Sequence, residues 1–193
     1  MERTIPLLSA VPYLRAYAGQ TFVVKLGGEL LQSTELREQV ARDIAVLHRL
    51  RIGVVVVHGG GPQLDAMTAR LGLPVERVAG RRITSAEVLE AAKMVFRGQL
   101  SLDLVSALIR QREQAVGLSG VDGGLVQAER RPKALVTSDD GERVTVDFGE
   151  VGDVVGVDPS VLQGVLQTGA IPVISPLGAD GQGRVLNVNA DTV

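Results

Sequence analysis

Two short apolar strands each run straight into glycines and then into a helix, and this repeated junction constrains the fold more than any other feature. Phe22-Val23-Val24-Lys25-Leu26 meets Gly27-Gly28, and Val54-Val55-Val56-Val57-His58 meets Gly59-Gly60-Gly61-Pro62. A strand that is apolar at successive positions is buried on both faces, which requires a parallel sheet covered by helices. Helical spacing follows both junctions. Leu36, Val40, Ile44 and Leu47 share one stripe between Leu30 and Leu50, and Leu64, Met67 and Leu71 follow Pro62 up to a stop at Gly72. Glycines at such a turn let backbone N–H groups approach an anion, and the helix end adds about half a positive charge. A tight turn explains one such run; two in the first third of the chain point to an anion or phosphate site.

The alternation of strands and helices continues. Val75 to Ile83 reads as a hairpin turned at Ala79-Gly80, and Ser85 caps a helix through about Arg97. Gly98 is expected to break that helix, with a second one from Ser101 to about Gln111. Strands are expected at Ala115 to Leu118, Leu125 to Ala128, Ile171 to Ser175 and Arg184 to Val188. A hairpin turns at Asp139-Asp140-Gly141, and Pro159 opens a helix to Gln167. The expected fold is α/β: a mostly parallel sheet sandwiched between helices, with added β-hairpins.

Composition narrows the function. The 193 residues carry a net charge of −2 and only 3% aromatic residues, a poor basis for tracking phosphates or stacking bases, so no nucleic-acid partner is expected. With no cysteine there is no disulfide, thiolate zinc site or thiol nucleophile. The longest unbroken apolar run is Val54 to Val57, too short for a membrane span, and a cytoplasmic location is expected. His48 and His58 lack metal-ligand spacing, so no metal site is expected, and His58 reads as a satisfied buried histidine beside the glycines.

The common glycine motifs fail. A dinucleotide fingerprint starting at Gly59 needs glycine where Leu64 stands, and a P-loop needs a Gly-Lys pair that the chain lacks. Ser119 in Gly117-Leu118-Ser119-Gly120 lacks the spacing of a nucleophile elbow. Among 17 arginines stand three lysines, Lys25, Lys93 and Lys133, and Lys25 lies inside an apolar strand. Alone, Lys25 reads as a snorkelling strand-end lysine and Arg82 as one more surface arginine.

Taken together, Val24-Lys25-Leu26-Gly27-Gly28, His58 to Asp65, Gly80-Arg81-Arg82-Ile83-Thr84 and Leu186-Asn187-Val188-Asn189-Ala190-Asp191 resemble the N-acetylglutamate kinase family of the amino-acid kinase superfamily. Gly117 to Gly123 and Val151 to Val155 fit the same pattern in the same order, so the resemblance runs from about residue 11 to the last residue. It implies a carbamate-kinase-like fold and transfer of a phosphoryl group from ATP, with Mg2+, to the side-chain carboxylate of N-acetyl-L-glutamate, a step of arginine biosynthesis. It also implies roles. Lys25 would meet the transferring phosphoryl group, and Asp191 would orient the catalytic lysines. Gly27 and Gly28 would contact phosphate, and Gly60, Gly61, Arg82 and Asn187 would hold the acetylated amino acid.

Three departures stand beside the resemblance: Ser101-Leu102 where the family commonly has Asn-Lys, Val121 in place of a lysine, and Glu29 directly after the glycine pair. Two further readings therefore stand: an arginine-sensing or assembly domain like that of N-acetylglutamate synthases, and an acylamino-acid kinase of lysine biosynthesis. By resemblance, residues 1–20 form an N-terminal helix segment that interlinks dimers into hexamers, a homodimer being expected otherwise. Residues 21–193 form the substrate-binding lobe, and the ATP-binding lobe of the family is absent. The chain is thus expected to be the amino-terminal part of a longer kinase, inactive alone.

Overall fold

A computed structural model describes residue 12, residues 15–137 and residues 141–193. Residues 15–17 are helical, and most of the expected N-terminal helix lies outside the described residues.

Four parallel strands form the central sheet: β1 (Thr21–Leu26), β2 (Gly53–His58), a later strand Ile171–Ser175, and Ala115–Ser119 at the far edge, in that order. Their pairing is in register from Thr21↔Gly53 to Leu26↔His58, so both glycine junctions emerge side by side at the same end of the sheet. Because side chains alternate along a strand, Val54 and Val56 enter one core while Val55 and Val57 enter the other. The first core is covered by α1 (Thr34–Arg49), α2 (Gly61–Arg70) and a long helical stretch over residues 86–110. On the second face Leu125, Val126, Ala190 and a helix at Ser160–Gln167 pack against Val55, Val57 and Ile174. The expected sandwich of helices on both faces is therefore present.

The first helix begins later than its apolar spacing predicts. Ser33 Oγ accepts the Leu36 N–H at 3.1 Å and caps α1, while Gly28–Leu31 forms a separate 3-10 turn. The hairpin at Ala79-Gly80 forms as expected between β3 (Arg77–Val78) and β4 (Arg81–Arg82), with φ of 50° and 72° at the turn.

The expected break at Gly98 does not occur. Helix α3 (Ala86–Lys93) passes through a π-helical segment, Met94–Leu100, into α4 (Ser101–Arg110), with helical dihedrals at Lys93, Met94, Leu100 and Ser101. Gly98 is tolerated because helix hydrogen bonds satisfy the backbone on both sides, and a single glycine costs only about 1 kcal/mol against alanine. The wider π turn places Phe96 and Leu100 over Gly60.

After β5 (Ala115–Ser119) come β6 (Val126–Arg130), the hairpin strands β7 (Ala134–Thr137) and β8 (Arg143–Val146), and β9 (Gly152–Val157). Asp139 and Asp140 of the expected turn lie outside the described residues, but β7 and β8 pair antiparallel around them. Helix α5 (Ser160–Gln167), β10 (Ile171–Ser175), β11 (Leu177–Ala179) and β12 (Val185–Asn187) complete the chain. A second sheet, ordered β12-β11-β6-β9, is mixed, with β11 and β6 parallel and its other pairs antiparallel. Isolated bridges Thr84↔Gly149 and Val151↔Asn187 stitch the segment after β4 to this second sheet.

Candidate active site

The two glycine junctions touch. A Cβ on Gly28 would lie 2.8 Å from Pro62 Cδ and 3.2 Å from Gly60 Cα, and one on Gly60 would lie 2.5 Å from Leu100 Cδ1 and 2.8 Å from the Phe96 ring. Both positions therefore need glycine for close approach, not for unusual dihedrals. Gln63 Nε2 donates to the Gly28 carbonyl at 2.7 Å and ties the second junction to the first. No acceptor among the described residues takes the N–H groups of Gly28, Gly60 or Gly61. Gly61 and Pro62 open α2, whose first turn holds no acidic residue, so these donors face an anion-friendly space. Gly27 sits at the rim, and a Cβ there would meet only the Glu29 carboxylate, at 3.3 Å.

His58, beneath the second junction, is buried as expected but only half satisfied. Its Nδ1–H donates to the Gly59 carbonyl at 3.0 Å, while Nε2 is buried with no partner. Burial outweighs that hydrogen bond and lowers the imidazole to about 4, so the ring is neutral at physiological pH.

Lys25 leaves β1 beside these glycines, and its Nζ lies 2.7 Å from Asp191 Oδ1. Both side chains are about half exposed, so the pair contributes little stability, about 0–1 kcal/mol. Its consequence is positional: the carboxylate holds a flexible ammonium near the end of β1, two residues before the first glycine junction. Asp191 is fixed in turn, because its N–H donates to Asn189 Oδ1 at 3.1 Å.

Arg82 and Asn187 line a cavity of about 250 Å3 together with Arg81, Arg131, Val151, Val188 and Asn189. The Arg82 side chain is only 9% exposed. Its Nη2 donates to Asp65 Oδ1 at 2.6 Å and to the Gly61 carbonyl at 3.3 Å, which joins the cavity to the second glycine junction. Its Nη1 is buried with no partner. A buried guanidinium nitrogen without an acceptor is costly unless an anion completes it. Asn187 Nδ2 donates to Thr84 Oγ1 at 3.2 Å, and its backbone N–H to the Glu150 carbonyl at 2.9 Å. The segment from Asn187 to Asp191 thus leads from the cavity to Lys25.

The candidate residues therefore assemble in two linked parts. Lys25, Asp191, Gly28, Gly60 and Gly61 form one, and Arg82 and Asn187 form the other, with Lys25 paired to Asp191 and Arg82 to Asp65. Asp65, Gln63, Thr84 and Asn189 support this geometry, and the residue pattern gave them no roles. The Asp65 pairing with Arg82 crosses from a helix to a strand 17 positions away, a separation that no local periodicity reports.

The family model for the amino acid kinase family matches residues 20–193. This chain belongs to the amino acid kinase family. The chain is 48% identical over 188 residues to the acetylglutamate kinase of Myxococcus xanthus (strain DK1622), covering 97% of itself and 61% of that protein. It is 42% identical to the acetylglutamate kinase of Novosphingobium aromaticivorans, covering 97% of itself and 63% of the relative. The chain thus spans about three-fifths of the length of these relatives. Among solved structures it resembles N-acetylglutamate synthase from Neisseria gonorrhoeae complexed with coenzyme A and N-acetyl-glutamate, at TM-score 0.74 and 27% identity. That match covers 96% of this chain and 41% of the synthase. Giardia carbamate kinase shares the fold, at TM-score 0.56 and 15% identity over 91% of this chain and 68% of that one.

Proposed function

We propose that this amino acid kinase phosphorylates the side-chain carboxylate of N-acetyl-L-glutamate with ATP, and that residues 21–193 are the lobe that binds the acyl amino acid. The nucleotide is assigned to the part of its relatives' length outside the match. The observation that carries the reading is the buried, unpartnered Arg82 Nη1 in a cavity linked through Asn189 and Asp191 to Lys25. A guanidinium fork grips one carboxylate, and a cavity of about 250 Å3 has room for a molecule the size of an N-acylated amino acid.

Joining a carboxylate to a phosphoryl group brings two anions together, so the protein must neutralise charge and align the reacting groups. Arg82 and Asn187 would anchor the non-reacting end. The N–H groups of Gly28, Gly60 and Gly61 would bind equatorial phosphoryl oxygens. Lys25, held by Asp191, would place its charge where negative charge builds up during transfer. Neutral His58 takes no proton in this scheme; it sits under the loop as part of its support.

Among the described residues no group of three or more His, Cys, Asp or Glu side chains could hold a metal ion. Mg2+ would therefore arrive with ATP and supply charge neutralisation there, without a carboxylate cage among the described residues.

The Glu29 carboxylate beside Gly27 favours a second reading, a binding domain that senses a ligand without catalysis, since a negative charge there opposes phosphate. Calorimetric titration of the complete gene product with N-acetyl-L-glutamate tests the kinase reading at its binding step. Saturable binding that needs the acetyl group, together with ATP-dependent turnover that is lost in Lys25→Ala, supports it. Binding of L-arginine with no binding of N-acetyl-L-glutamate supports the second.

A further inference from the structure

Arg131 lines the same cavity as Arg82 and Asn187, yet the residue pattern of the glycine junctions gives it no part. It is held from three directions. Its Nε and Nη2 both donate to Asp153 Oδ1, at 2.9 and 2.5 Å, and its guanidinium carbon lies 5.7 Å from the centroid of Phe148, itself 1% exposed. Its backbone N–H donates to the Val151 carbonyl at 2.8 Å, and Val151 bridges to Asn187. Arg131, Val151 and Asn187 are therefore neighbours on one side of the cavity, while Arg82 enters from β4.

Here a second guanidinium is oriented by a carboxylate and an aromatic face, next to one whose Nη1 has no acceptor. Two fixed guanidinia around a space of this size match one carboxylate gripped from two sides, and match poorly a carboxamide, which carries no charge and would leave donors facing donors.

We propose that Arg131 is a specificity-determining residue that grips the non-reacting α-carboxylate of the acyl amino acid jointly with Arg82. This rests on the kinase reading above. It predicts that the site selects substrates with a free α-carboxylate, and that Asp153 and Phe148 act as positioning residues for Arg131.

The test uses the complete gene product and two acceptors, N-acetyl-L-glutamate and its α-carboxamide counterpart with the side-chain carboxylate free. Arg131→Gln is expected to raise KM for N-acetyl-L-glutamate about tenfold or more with kcat nearly kept, and to shrink the preference for carboxylate over carboxamide by a similar factor. Arg131→Lys, keeping the charge without the fork, should fall between. Binding of N-acetyl-L-glutamate by calorimetry should weaken in parallel. Unchanged KM, binding and preference in Arg131→Gln would overturn the proposal. Wild-type protein that binds N-acetyl-L-glutamate but transfers no phosphoryl group overturns the kinase reading alone, and the calorimetric comparison then still decides Arg131.

Discussion

Lys25 Nζ and Asp191 Oδ1 lie 2.7 Å apart, and this contact brings a strand from the start of the described fold against its last loop. Half-exposed on both sides, the pair adds little stability, so its energetic weight falls on charge placement. Lys25→Ala in the complete gene product is expected to lower kcat about 100-fold or more while the thermal midpoint moves by no more than a degree or two. Steady-state kinetics beside a calorimetric melt checks both halves. Unchanged turnover removes Lys25 from the chemistry, and a large fall in the midpoint makes the pair structural.

Neighbouring glycines of the second junction are expected to respond to alanine to very different degrees. An added Cβ at Gly60 meets Leu100 and Phe96 at 2.5–2.8 Å, while one at Gly61 meets nothing within 4 Å. Gly60→Ala should therefore destabilise by about 1–3 kcal/mol through overpacking, and Gly61→Ala by much less. Urea unfolding of the two variants checks this; equal losses would mean that the π segment does not lie over Gly60.

The continuity of helix through Gly98 carries a prediction of the same kind. Gly98 has open space around it and no positive φ, so Gly98→Ala should stabilise by about 0.5–1 kcal/mol through reduced freedom of the unfolded chain. A true helix break at this residue would make alanine neutral or harmful.

Burial of His58 makes stability depend on pH. Its imidazole is lowered to about 4 in the folded protein, below the unfolded value of 6.5, so the unfolded chain binds the proton first. The stability contribution is complete above about pH 6.5 and is lost progressively as pH falls towards 4, by roughly 3 kcal/mol at the limit. Unfolding free energies measured from pH 7 to pH 4 should fall less steeply in His58→Leu than in the wild type. Parallel curves would show that His58 titrates normally.

Much of this fold was legible because its signals are local. The valines of β2, the Ser85 cap and the Ala79-Gly80 turn each depend on a few adjacent residues. Gly98 misled for the same reason: a glycine in a helical pattern is a local cue, whereas the helix continues because Phe96 and Leu100 pack on a loop almost 40 positions away. In the site, Lys25, Arg82, Asn187 and Asp191 stood out through motif order. Asp65 and Arg131 did not, because their partners, Arg82 and Asp153, lie 17 and 22 positions distant on other elements. The mixed second sheet was hard to read because β11 has three residues and β9 follows a hairpin.

The central claim, that the Arg82 cavity and Lys25 serve phosphoryl transfer to an acyl amino acid, is tested most directly by trapping the product. The complete gene product is incubated with ATP, Mg2+ and N-acetyl-L-glutamate in hydroxylamine, which converts an acyl phosphate into a coloured hydroxamate. ATP-dependent hydroxamate formation that is lost in Lys25→Ala is the expected result. No hydroxamate from wild-type protein that is folded and binds N-acetyl-L-glutamate would contradict it.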